Sequence, residues 1–314
     1  MKSKHLSAIL LLSALVSPTA HAVEGALGRP VSGAEINPFA GVIPPAPGLI
    51  VGVSELYYKA DIGASRTVPI GVNLALDIES EVSFTDVSFT YIWDTHAGPW
   101  NFASALSLPI TWLEVEADVA VGPETGVRKE DATGLFDLAF VPLFASYHIN
   151  QTQHLGLSMT VWAPTGKYDS HDLANLSLNN WTFIPTVSYT HLWPEHGLEF
   201  SAAWGMQFYT ENEDTDYQNG IVSDLEATLI KRLPEGLGIG IIGSWIEQVT
   251  DDDGDTADAL NGFSGHAFGI GPILTYSKKF GESQLDLNAR WVHEFEVEKR
   301  VEGDLLALSA SWKL

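Results

Sequence analysis

The chain of 314 residues contains no cysteine. That excludes a disulfide framework, a thiolate metal site and a cysteine nucleophile. Nowhere is there a run of about eighteen apolar residues, so no segment is long enough to cross a bilayer as a helix. Cations are scarce: 16 Lys and Arg stand against 40 Asp and Glu, for a formal charge of −24. Such an excess of acid argues against a nucleic-acid partner and against anionic lipid held by basic patches. Gly236–Gly243 is glycine-rich but lacks the Lys-Ser/Thr pair of a phosphate loop. Transport coupled to a nucleotide is therefore not expected, and neither is a cofactor. A Gly-x-Ser-x-Gly nucleophile elbow is also missing.

What is present begins with an export signal. Lys2 and Lys4 precede the apolar run Leu6–Val16 and the small-x-small triplet Ala20, His21, Ala22. This predicts a secretory signal over residues 1–22, cleaved after Ala22. No cysteine follows, so a lipid anchor is not expected, and loss of the two lysines takes the charge from −24 to −26. Residues 23–48 are dense in Gly and Pro, among them Pro44, Pro45 and Pro47. That density suits neither ladder nor helix. Two readings stand for this segment: a loose periplasmic tail, or a plug tucked into a barrel mouth.

From Leu49 onward the polarity alternates with a period of two. In the final hairpin Leu285, Leu287, Ala289, Trp291 and Phe295 share one face, and Asp286, Asn288, Arg290, Glu294 and Glu296 share the other. Strands are predicted at Leu49–Lys59, Ser80–Trp93, Asn101–Glu116, Gly134–Ile149, His154–Ala163 and Trp181–Leu192. The rest are Leu198–Thr210, Ser223–Lys231, Leu237–Val249, His266–Phe280, Ser283–Phe295 and Asp304–Leu314. Short connections such as Asn150–Gln153, Trp193–Gly197 and Leu233–Gly236 alternate with long ones. The long ones include Ala60–Glu79, Ala117–Thr133, Pro164–Asn180 and Thr250–Gly265. An even count with this alternation predicts an all-β fold over residues 49–314. It is a transmembrane, antiparallel, up-and-down barrel of about twelve strands, with short periplasmic turns and long extracellular loops. The expected surroundings are outer-membrane lipid and lipopolysaccharide, with insertion as a monomer by the barrel-assembly machinery. The competing fold is a soluble two-sheet sandwich, which gives no reason for alternating loop lengths.

The face pattern places Trp204, Trp291 and Trp312 toward lipid. It places Asp86, Asp137, Glu199, Glu226, Asp286 and Glu294 toward the lumen, with Arg290 the one nearby cation. Uncompensated carboxylates would keep a lumen wet and repel anions, favouring neutral or cationic amphiphiles over fatty acids and benzoates. Ser201 is on the same inward face, where an arginine is expected to be mild. Ile241, Ile242 and Ile246 make Leu237–Val249 apolar on both faces, which predicts a partly greasy lumen wall. Pro109, Pro142, Pro185 and Pro272 interrupt strands and require a bulge, kink or break. Kinks at Pro142 and Pro185 would offer a sideways exit into the membrane.

Other constellations are weaker. Asp251, Asp253 and Asp255 flank Gly254 and could offer oxygen ligands to Ca²⁺, without EF-hand spacing; the competing reading is an acidic surface loop. His148, His154, His191 and His196 flank turns without the spacing of a zinc site. Ser264 and His266 are two apart on one face, the basis for an alternative reading as a barrel esterase or phospholipase. A third reading is a structural or adhesive barrel acting through its loops.

The run Leu155–Asp169 (LGLSMTVWAPTGKYD), with Asn180–Thr186 (NWTFIPT) and Asp216–Gly220 (DYQNG), resembles the meta-pathway phenol degradation family of outer-membrane transporters. The branch that includes sphingosine-induced outer-membrane proteins is the most similar. Further matches are Gly28–Gly33, Pro44–Gly48, Trp93–Thr95, Trp100–Ala103, Leu135–Asp137 and Leu260–Phe263, so the resemblance spans nearly the whole mature chain. It implies a barrel that passes small hydrophobic or aromatic compounds across the outer membrane without catalysis. Gly28–Gly33 with Asn37 and Pro38 also resembles the plug region of long-chain fatty-acid channels.

Overall fold

The structure, a computed structural model, describes residues 29–62, 68–70, 73–96, 98–121, 124–259, 264–281 and 283–314. The predicted signal and the first residues of the Gly/Pro-rich segment lie outside the described residues. In chain order the strands are β1 Gly48–Ile62, β2 Val68–Ile70, β3 Asn73–Ile92, β4 Trp100–Val121, β5 Glu124–Leu135, β6 Leu138–His148 and β7 Gln153–Ala163. They continue with β8 Thr182–Trp193, β9 Leu198–Tyr209, β10 Val222–Arg232, β11 Leu237–Gln248, β12 His266–Phe280, β13 Ser283–Glu298 and β14 Glu302–Lys313. All belong to one antiparallel sheet, and pairing of β3 with β4 closes it. The closed wall has twelve strands, and neither β2 nor β5 is part of the ring. β5 pairs with the outer half of β4, from Ile110↔Leu135 upward, and β6 takes the lower half, down to Trp100↔Tyr147. They are two pieces of one strand broken at Phe136 and Asp137, where a single strand Gly134–Ile149 was expected.

In their described residues, the expected long loops Ala60–Glu79 and Ala117–Thr133 are instead largely strand. β1, β3 and β4 run on to Ile62, up from Asn73 and to Val121, and β5 completes the rise. Ala60, Ile62, Ile78, Val115, Ala117 and Val119 are buried on its inner face. Its outer face carries Lys59, Glu81, Glu114 and Lys129, joined as ion pairs. Polarity is thus inverted relative to the lower wall, where Val53, Phe89, Leu106 and Ile110 are exposed outward. Below, the sheet meets lipid; above, it meets water and packs a core of its own. An expectation of apolar residues outside therefore mistakes this upper sheet for loop.

Pro142 sits in an irregular stretch: the pairing of β6 with β7 shifts register between Phe140 and Phe144. No shift occurs at Pro185, which keeps its place opposite Met159, while the pairs to β9 resume on either side. At Pro185 the break is confined to the β9 side, where Ile184 and Pro185 have no partners, because the missing N–H falls on one side only and the ladder to β7 carries the strand through.

The interior is occupied by the chain's own N-terminal segment. From Gly48 at the periplasmic rim, residues 29–47 run up inside the wall. Ser32 and Ile36 are buried, and Ile36 belongs to one apolar cluster with Tyr58, Ile242, Val292 and Leu305. The greasy inner stretch of β11 is where this segment packs: Ile242 points in, and Ile241 points out and is exposed. Gly41 takes a left-handed φ of 83° where the segment presses on the wall, and a Cβ at Gly156 would stand 2.6 Å from the Gly41 Cα.

Candidate functional site

Segment 29–47 has no regular secondary structure, so its N–H and C=O groups need partners elsewhere. The inner wall supplies them. Glu226 accepts from the N–H groups of Gly33 (2.7 Å), Glu35 (3.1 Å) and Ile36 (2.6 Å). Glu199 accepts from the Phe39 N–H at 2.6 Å and pairs with Arg232, whose guanidinium lies over the Phe39 ring. Carbonyls find donors too: Arg290 donates to Ala34 and Ile36, Arg300 to Pro30, Thr190 to Ala40, Ser146 to Gly41 and Asn101 to Ile43.

At the upper end, Arg29 pairs with Asp137 at 2.9 Å, with side chains 3% and 0% exposed. A buried pair is costly unless its remaining lone pairs are satisfied. Here the N–H groups of Thr165 (3.0 Å), Gly166 (3.1 Å) and Leu178 (3.1 Å) complete the carboxylate. Asp137 therefore ties three things together: segment 29–47, the break between β5 and β6, and the connection from Ala163 to Thr182.

The segment does not fill the barrel. Between it and the walls of β13, β14, β1, β3 and β4 lies a cavity of about 410 Å³. Leu56, Tyr58, Ile78, Val82, Leu113 and Val115 line it, together with Phe84, Phe136 and Trp162. Those three rings form a cluster, with centroids 5.7, 6.2 and 6.5 Å apart and largely edge-to-face contacts. The Arg29 guanidinium stacks 4.9 Å from the Trp162 ring centre. Glu35 points into the cavity. Its side chain is open to the cavity, yet desolvation inside the barrel raises its carboxyl to about 8, with Asp224 and Glu226 adding to the rise and Arg290 and Arg29 opposing it.

All seven residues assigned to the lumen lie on the inner face or at the β5–β6 break, but they do not act together as free charges. Asp137, Glu199, Glu226 and Glu294 are each 2% exposed or less. Glu294 accepts from the Tyr58 hydroxyl (2.6 Å) and the Gly303 N–H (3.1 Å). Asp286 accepts from Ser277 and Gln284, and Asp86 from Ser107. The expectation of uncompensated carboxylates is corrected for Asp137, Glu199 and Glu226, to which segment 29–47 brings its own N–H donors; Asp86, Asp286 and Glu294 bond only to neutral groups of the wall. Ser201 is corrected likewise. It is wholly buried and bonded to Thr190 and Glu199, leaving no room for an arginine.

Of the acidic loop, Asp251, Asp253 and Asp255 are exposed, and among the described residues no three acidic or histidine groups converge on a metal position. The neighbour Asp252 is the buried one, bonded to Tyr217, the Gly220 N–H and Gln248. It fastens two outer loops together. No hydrogen bond joins Ser264 to His266; His266 stands 4.0 Å from Glu298 and edge-on to Phe268. Sequence reasoning missed Arg29, Glu35, Phe84, Phe136, Trp162 and Arg232. Phase alone puts Phe84 and Trp162 among ordinary strand residues. Only Arg29 carried a signal, as a lone cation in the Gly28–Gly33 run.

Residues 61–310 match the family described as "Putative MetA-pathway of phenol degradation". No curated protein matches the chain. A crystallised outer-membrane channel from Pseudomonas putida F1 superposes with a TM-score of 0.71 at 15% identity, over 89% of this chain and 100% of that one. A FadL homologue from Pseudomonas aeruginosa superposes with a TM-score of 0.44 at 10% identity, over 94% of this chain and 98% of that one.

Proposed function

The chain belongs to the MetA-pathway phenol-degradation family, and from that premise we propose that this outer-membrane barrel is a passive channel for small hydrophobic or aromatic compounds. The observation that carries the reading is the cavity of about 410 Å³ with its aromatic cluster of Phe84, Phe136 and Trp162. Ring faces and edges suit an aromatic guest beyond what area alone supplies, by about 0.5–1.5 kcal/mol per pair. In this reading residues 29–47 are a plug that narrows the lumen, and Glu199, Glu226, Arg290 and Asp137 are its anchors. Movement is downhill, since no group in the barrel supplies energy. The ring closes within itself, so no strand edge in the membrane band asks for a partner. That supports a monomer inserted by the barrel-assembly machinery.

The test is uptake of a neutral monoaromatic by cells with and without the protein. Uptake should be faster with it. Leu113→Trp, which fills the cavity, should remove most of the gain and leave a sugar's permeation as it was. Equal uptake with and without the protein would overturn the reading.

A further inference from the structure

The cavity wall changes character along the barrel. Ladder register aligns Asn288 of β13 with Ser309 of β14, Ser309 with Ser54 of β1, and Ser54 with Asp86 of β3. Ser107 of β4 completes the row by donating to Asp86. All five side chains line the cavity, at its periplasmic end. One step outward the row reads Ala307, Leu56, Phe84, and the next Leu305, Tyr58, Val82, Leu113. A polar floor thus lies beneath apolar walls.

The floor has acceptors to spare: the buried Asn288 Oδ1 has no partner, and the Ser54 and Ser309 hydroxyls can accept as well as donate. Asp86 takes the Ser107 hydroxyl and the Leu108 N–H, whereas a carboxylate has about four acceptor positions. The cations near the cavity are engaged: Arg290 with the Ala34 and Ile36 carbonyls, Arg300 with Pro30, and Arg29 with Asp137. A guest carboxylate would meet the Asp86 carboxylate, with no cation released to it.

We propose that the cavity holds a single-headed amphiphile, its hydrogen-bond-donating head, a hydroxyl or an ammonium, on the row from Asn288 to Ser107 and its hydrocarbon body against Leu56, Phe84 and Val82 above. This rests on the channel reading and adds to it a head-group class and an orientation. Four ligands with one ring separate the cases: toluene, benzyl alcohol, benzylamine and benzoate, titrated by calorimetry against the full mature protein in nanodiscs. The alcohol and the amine should each bind about tenfold tighter than toluene or benzoate, the size expected of one hydrogen bond to a charged acceptor. Asp86→Asn keeps an acceptor without charge, so the alcohol should keep a smaller lead of a few-fold and the amine should lose its lead. Asp86→Ala should bring both down to the level of toluene. If Asp86→Ala does not fold, the pair Ser54→Val and Ser309→Val should narrow the same lead. Toluene binding as well as the alcohol, or benzoate binding best, would overturn the proposal and leave the channel reading in place. Absence of binding by all four ligands to a folded barrel would remove both.

Discussion

Glu35 is the residue whose chemistry differs most from what its type suggests. A surface glutamate is ionised at neutral pH. This one hangs from segment 29–47, open to the cavity, and is held up to about 8 from the usual 4.5 by desolvation inside the barrel first and then by Asp224 and Glu226. Between those values the folded chain keeps a proton that the unfolded chain releases. Its contribution to stability is therefore complete below about 4.5 and is lost as pH rises through about 8. Ionisation puts a third carboxylate beside Asp224 and Glu226, with Arg290 and Arg29 as the opposing charges. The Glu226 cradle for Gly33, Glu35 and Ile36 should loosen. Single-channel conductance should then rise between pH 7 and 9 in the wild type and rise less in Glu35→Gln. Identical pH profiles for the two would show that Glu35 does not control the segment.

At the scale of the element, segment 29–47 and the barrel wall are stabilised differently. The wall is held by ladder pairs between neighbouring strands, from β1 with β3 around to β13 with β14. The segment is held only by side chains and by backbone groups that reach across to it, with Glu226, Arg290, Asp137 and Glu199 foremost. Deleting Val23–Pro45 removes the second set and leaves the first intact. The truncated chain should still insert as a barrel, and its conductance should exceed that of the wild type. A folded barrel of unchanged conductance would mean that the segment does not limit the path.

The whole molecule presents two outer surfaces. Trp204 and Trp291 are exposed on the lipid-facing band, in line with the face pattern, whereas charged pairs such as Lys59 with Glu81 mark the sheet above it. Ala202 and Ala289 point outward well inside that band. An arginine at either should cost about 2–4 kcal/mol, the range for a lipid-facing cation near the bilayer midplane. Ser201, one residue from Ala202, is buried against Glu199 and Thr190, so Ser201→Arg should also destabilise, here by overpacking of about 1–3 kcal/mol or more. Urea unfolding in liposomes reads both. The mechanisms part in thick and thin bilayers: the Ala202 cost should follow thickness and the Ser201 cost should not.

By itself the sequence determined the twelve membrane strands, their faces and their alternating connections, and hence a closed barrel for the outer membrane. Those properties are local. Side-chain direction repeats every two residues, and a turn's length is read from the chain between two strands. Tertiary structure alone decided three things: that the described parts of Ala60–Glu79 and Ala117–Thr133 rise as sheet, that residues 29–47 of the Gly/Pro-rich segment lie inside, and that Asp137, Glu199 and Glu226 hold them there. Each depends on partners remote in the chain, Arg29 with Asp137 across 108 positions and Arg290 with Ile36 across 254. A carboxylate on an inward face looks the same in sequence whether water or a backbone N–H will meet it. Which of the two does is settled only when the chain closes around its own N-terminal segment and every buried donor has to find an acceptor.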